Sequence, residues 1–135
     1  MRRNSINRDE LVTNTIREFG GKLVGKNSMK NMVAQTLTLL PKGIRDYIIK
    51  NCWFLSSARD AYGYTFSGND LKNKHLIFLS DELLDLREEQ IQYTVLHEIG
   101  HVILRHRNAI NYSQTKKEIK RQEKEADIFA RKYLA

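Results

Sequence analysis

The chain has little of what staples or subdivides a protein. Among 135 residues there is one cysteine, Cys52. That excludes an internal disulfide and points to a reducing compartment, most simply the cytoplasm. Beside Trp53 and Phe54 the thiol reads as a small buried hydrophobe rather than a nucleophile. There is one proline, with no repeat and no low-complexity linker, so a single domain over 1–135 is expected. No apolar run is long enough to span a bilayer. The opening stretch MRRNSINRDE has no apolar core of a signal peptide. A membrane partner is therefore not expected.

What is present suits a small intracellular globule. The apolar fraction is 41%, and a chain of this length buries a core without staples. The formal net charge is +7, which could attract nucleic acid, an acidic partner or a membrane face. The lysines and arginines are scattered rather than gathered in one tract, and no nucleic-acid-binding signature is visible. A solvated basic surface is the preferred reading, and nucleic acid is not expected as a partner.

Periodicity divides the chain into two regions. Residues 9–19 place Leu11, Val12, Ile16 and Phe19 at helical spacing, with Asp9 as N-cap. GGKLVGKNS breaks that helix. Residues 28–40 and 42–51 read as two more helical segments, separated at Leu40-Pro41. From residue 52 the character changes. CWFLSS is aromatic and apolar. Residues 61–66 and 75–80 read as two strands joined by a turn in SGNDLKNK. A helix follows over 81–107 and a last one over 115–134. The order is helices (1–51), a small sheet, then two helices (52–135), which is an α+β fold.

The helix over 81–107 carries the chemistry, in the stretch VLHEIGHVILRH. Asp85 and Glu88 have the spacing of a capping box. Ile91, Val95, Leu96, Ile99, Val102 and Ile103 fill one broad apolar arc, with Tyr93 and Leu104 on the far side. Thr94, His97, Glu98, His101 and Arg105 share one polar sector, so this is a buried helix whose polar residues are gathered where a cleft could be. Gly100 costs roughly 1 kcal/mol against alanine, which close approach of a neighbouring backbone would explain. His97 and His101 are one turn apart and can grip one metal ion, with Glu98 beside them to reach a water. Chance alone produces such a match in roughly 0.8% of chains of this composition, so a third ligand is needed to lift the motif above accident.

A catalytic zinc takes three protein ligands and keeps one open position. His106 fails the metzincin spacing and reads as a surface residue. In the last helix, Thr115 and Glu118 form a capping box. Ile119, Ala126, Phe129, Ala130, Tyr133 and Leu134 make an apolar stripe, and Glu123 falls inside it. A carboxylate on a buried face needs a positive partner, which Zn2+ would supply. Asp127, one turn on, could accept a hydrogen bond from the far nitrogen of a ligand histidine, or pair with Arg131. Glu125 lies off the stripe as a solvated, salt-bridging residue. A loop over NAINYSQ would let the two helices run antiparallel.

HEIGHVILRH followed by RQEKEADIFARKYL resembles the gluzincin pattern H-E-x-x-H … E-x-x-A-D-x-F-A, most closely that of the ImmA/IrrE zinc metallopeptidases, and the short length resembles the minigluzincins. The resemblance covers residues 93–134. It implies a zincin-like single domain, with a small twisted sheet packed on the active-site helix and a C-terminal helix bearing the glutamate. It implies His97, His101 and Glu123 as zinc ligands, Glu98 as general base and Asp127 as their supporting carboxylate. It further implies peptide-bond hydrolysis, a peptide or protein substrate such as a transcriptional repressor, and an edge strand, HLIFLS, that pairs with extended substrate. Some relatives carry a helix-turn-helix domain, for which residues 9–50 are short. Tyr93, Tyr133 and Arg105 are weak candidates for a second electrophile, and packing for the tyrosines and dipole capping for Arg105 are the favoured readings. Three alternatives stay open: a silent zinc module, a basic nucleic-acid-binding module, and a protease active only with a partner.

Overall fold

The structure, a computed structural model, describes residues 8–57, 63–66, 74–105 and 115–134. Three helices open the chain: α1 (Arg8–Phe19), α2 (Asn27–Leu37) and α3 (Lys42–Asn51), with a two-residue strand β1 (Leu23–Val24) between the first two. Then come β2 (Cys52–Ser57), β3 (Gly63–Phe66) and β4 (His75–Ser80). A 3-10 turn over Asp81–Asp85 leads into α4 (Glu88–Ile103), and α5 (Lys116–Tyr133) ends the described chain. The class is α+β, as the segment order predicts.

The four strands form one sheet in the order β1-β2-β4-β3. β1, β2 and β4 run parallel, and β3 pairs antiparallel with β4. CWFLSS, apolar and unassigned in the sequence, is a strand, and HLIFLS is not at the edge as expected. β4 is bonded on both sides, with Phe54↔Ile77 facing β2 and Thr65↔Ile77 facing β3. Its backbone donors and acceptors are therefore committed to the sheet, and among the described residues β3 is the edge strand on that side. The expected turn in SGNDLKNK and the start of the first predicted strand lie outside the described residues, apart from Lys74.

Strand alternation places the sheet on the core. Cys52 and Phe54 of β2 and Ile77 and Leu79 of β4 are buried, whereas Trp53 on the opposite face is 40% exposed. Burial pushes the Cys52 thiol up to about 12, so it remains a neutral hydrophobe. One apolar cluster runs from Phe19, Leu37 and Ile48 through Phe54 and Ile77 to Val95, Leu96, Ile99 and Ala130. The helices thus share one core with the inner sheet face. At Gly25, whose φ is +139°, a side chain would meet Ser56 Oγ at 2.6 Å, so only glycine lets β1 reach β2. None of the described helices is long and apolar enough to cross a membrane.

Candidate metal centre

α4 starts later than its first capping pair suggests. Asp85 belongs to the preceding 3-10 turn, and the N-cap is Arg87, whose backbone N–H donates to Gln90 Oε1 at 3.2 Å. The helix ends at Ile103, because Arg105 takes a left-handed φ of +58°. His106 and the loop over NAINYSQ lie outside the described residues. α5 begins as its sequence predicts. Thr115 is the N-cap, its Oγ1 accepts from the Glu118 N–H at 3.1 Å, and Glu118 Oε1 accepts from the Thr115 N–H at 2.9 Å.

The two helices pack antiparallel and close. Residue pairs run in reverse order along them, Tyr93 with Asp127 and His101 with Glu123. Gly100 accounts for the closeness. A Cβ there would lie 3.1 Å from Phe129 Cδ1 and 3.3 Å from the Ala126 Cα. The glycine is kept for the approach of α5, as its cost in a helix interior suggested.

His97 and His101 come together one turn apart on α4, ring centroids 4.9 Å apart and nearly perpendicular. One ligand atom from each of His97, Glu98 and His101 falls within 4.8 Å of the others. Glu98 is only 5% exposed. From α5, Glu123 reaches both rings: Oε1 is 3.0 Å from His97 Nε2 and Oε2 is 2.9 Å from His101 Nε2.

Glu123 corrects one expectation. It is not on a buried face, for its side chain is 55% exposed. The buried stripe of α5 is Gln122, Ala126, Phe129 and Ala130, while Ile119 and Ile128 are exposed. The stripe is rotated toward Gln122, which leaves Glu123 on its margin, over the histidines. What fixes the carboxylate is therefore the pair of imidazoles and not the core around it.

Asp127 does not take the role of holding His97 by its far nitrogen. Its Oδ1 accepts from the Tyr93 hydroxyl and its Oδ2 from Arg131 Nε at 2.9 Å. Among the described residues, His97 Nδ1 is buried without a hydrogen-bond partner. The bonds from Tyr93 and Arg131 hold the Asp127 carboxyl below the usual range. Burial first, then the bond to Asp127, pushes the Tyr93 phenol up to about 12, so Tyr93 donates to an ionised carboxylate. Glu125 pairs with Arg121 at 3.2 Å, the solvated salt bridge expected of it. The sequence reading named Tyr93 only as one of three electrophile candidates. Its spacing, four residues before His97 while Asp127 is four after Glu123, is the signal that could have linked it to Asp127.

Two imidazole nitrogens cannot face one carboxylate as bare lone pairs. Each contact holds either a proton or a shared cation. Two imidazoles and a carboxylate are also the donor set of a catalytic zinc, and tetrahedral donors at zinc distance sit ~3.3 Å apart. The two separations observed, 3.0 and 2.9 Å, are a little shorter than that. The three residues fit a zinc ion in number and type. His97 Nδ1, which in such sites usually donates to a carboxylate or carbonyl, has no partner among the described residues.

Residues 84–135 match the family model described as Peptidase U49. The match begins just before α4 and takes in both helices of the centre, which supports a peptidase family. It covers less than half of the chain and does not single out the ImmA/IrrE group. No curated protein and no solved structure matches the chain.

Proposed function

We propose that the protein is a zinc-dependent metallopeptidase of gluzincin type, with His97, His101 and Glu123 holding the metal and Glu98 acting as general base. One observation carries the reading. A single carboxylate, brought in from a second helix, spans the Nε2 atoms of both motif histidines at 3.0 and 2.9 Å. The peptidase match over the same two helices supports hydrolysis of peptide bonds in a peptide or protein substrate.

The chemistry that zinc supplies in such a site is water activation and polarisation of a carbonyl. The protein's own groups do the rest. His97 and His101 present two nitrogens from a rigid, buried helix, and Glu123 closes the set from α5. Glu98, next to His97 in sequence, takes a proton from the water that attacks the scissile carbonyl. It then gives that proton to the amine nitrogen as the C–N bond breaks. Burial of Glu98 suits a base that must not stay solvated. An extended substrate has β3 as its nearest sheet edge, since β4 is occupied on both sides.

The test pairs metal content with cleavage. Wild type should hold one zinc and cut members of a peptide library. Glu98→Gln should keep the zinc and lose at least ~100-fold in rate, and His97→Ala should lose both. Full activity of Glu98→Gln on a peptide the wild type cleaves would overturn the reading.

A further inference from the structure

The two acidic residues one turn apart on α5 meet different partners on α4. Glu123 meets His97 and His101, and Asp127 meets Tyr93, one turn before His97. Both oxygens of Asp127 are taken, Oδ1 by the Tyr93 hydroxyl and Oδ2 by Arg131 Nε at 2.9 Å. The Arg131 guanidinium carbon lies 5.9 Å from the centre of the Tyr93 ring, and that ring lies 5.8 Å from the His97 ring. Tyr93, Asp127 and Arg131 thus form a polar rung between the helices, directly beside the first histidine.

Two helices joined at one polar rung can still slide and turn against each other. Gly100 sets how closely α4 and α5 approach, and the apolar packing of Phe129 and Ala130 constrains their spacing and crossing angle, whereas a hydrogen-bonded rung adds a directional constraint on axial register. Glu123 has a long side chain, more than half exposed, and ordering it costs rotamer entropy. A second rung one turn away removes the sliding freedom and leaves Glu123 above both histidines before any metal arrives.

We propose that Tyr93 and Arg131 are positioning residues for the metal centre, acting through Asp127 to fix the register in which Glu123 meets His97 and His101. The inference rests on the zinc reading above. Tyr93 supplies the bond between helices. Arg131, four residues after Asp127 on the same helix, keeps that carboxylate ionised and turned toward α4.

The measurement is the zinc dissociation constant of the full chain, by competition with a chromophoric chelator, with folding followed by circular dichroism. Tyr93→Phe keeps the ring and removes only the hydroxyl, and it should weaken zinc binding by ~10-fold. Arg131→Gln, at an exposed site, should weaken it by roughly threefold. Adding Tyr93→Phe to Asp127→Asn should bring little further loss, because the two act as one unit. A purely structural Tyr93 would lower the melting temperature and leave the zinc constant of the folded protein unchanged. Zinc binding by Tyr93→Phe within twofold of wild type overturns the inference while the zinc reading stands. A wild type that binds no zinc overturns both. Should Tyr93→Phe fail to fold, Arg131→Gln decides, and a wild-type constant there overturns the inference.

Discussion

Gly100 of α4 and Ala126 of α5 stand so close that a methyl group on the glycine would lie 3.3 Å from the Ala126 Cα. Backbone, unlike a side-chain tip, cannot rotate out of the way. Alanine at position 100 would recover roughly 1 kcal/mol of helix propensity. Against that, a methyl group forced between packed helices costs about 1–3 kcal/mol. Phe129 adds a second obstacle, with Cδ1 at 3.1 Å and Cβ at 3.2 Å. Gly100→Ala is therefore expected to lose ~1 kcal/mol net, and Gly100→Leu several-fold more. Urea denaturation checks both, and an unchanged midpoint for Gly100→Leu would show that α5 moves away freely.

His75 ties stability to pH. It begins β4, is buried, and its Nε2 lies 3.1 Å from the Tyr47 hydroxyl. Its neighbours are Tyr47 from α3, Lys74 before it in the chain and Arg105 beyond the end of α4. Burial first, then the positive charges of Arg105 and Lys74, lowers its pKa below 6.5. The unfolded chain thus takes up a proton at this residue where the folded chain does not. The stabilising contribution is complete above about pH 6.5 and is lost progressively as the pH falls toward the folded-state pKa. His75→Gln, which stays neutral, should show a shallower loss of stability between pH 7 and 5 than wild type. Urea midpoints across that range are the measurement, and equal slopes would place the acid sensitivity elsewhere.

What could be read in the sequence was what depends on neighbours along the chain. The polar sector of α4 follows from helical spacing, the start of α5 from Thr115 and Glu118, and the purpose of Gly100 from its cost. What could not be read depends on distant partners. CWFLSS is apolar on both faces, so the alternation that marks a half-buried strand is hidden, though only Cys52 and Phe54 face the core. Whether HLIFLS lies at an edge or inside the sheet is decided by β2, which pairs directly with it although β3 separates the two in sequence. The phase of α5 was off for the same reason. Ile119 reads as part of the stripe, yet the approach of α5 to Gly100 turns Gln122 inward and leaves Ile119 exposed. That rotation is also what releases Glu123 from the core. The matched spacing of Tyr93 before His97 and Asp127 after Glu123 could have linked the two, but with Asp127 assigned to a histidine nitrogen or to Arg131 the link to Tyr93 is not drawn from sequence.

Glu123 allows metal binding to be separated from folding. If it closes the metal centre, zinc stabilises only the folded wild type, since the unfolded chain scatters the ligands. At one hundred times the dissociation constant that linkage is worth ~2.7 kcal/mol. For a chain of this size it corresponds to a rise in melting temperature on the order of 10 °C. Glu123→Ala should lose most of this rise. In the metal-free protein the same change should cost under ~1 kcal/mol, because the side chain is more than half exposed and surface ion pairs contribute little. Thermal melts of both proteins, with zinc and with a chelator, give the four values needed. A zinc-dependent rise of equal size in Glu123→Ala would remove Glu123 from the ligand set and leave His97, Glu98 and His101 as the donors to be explained.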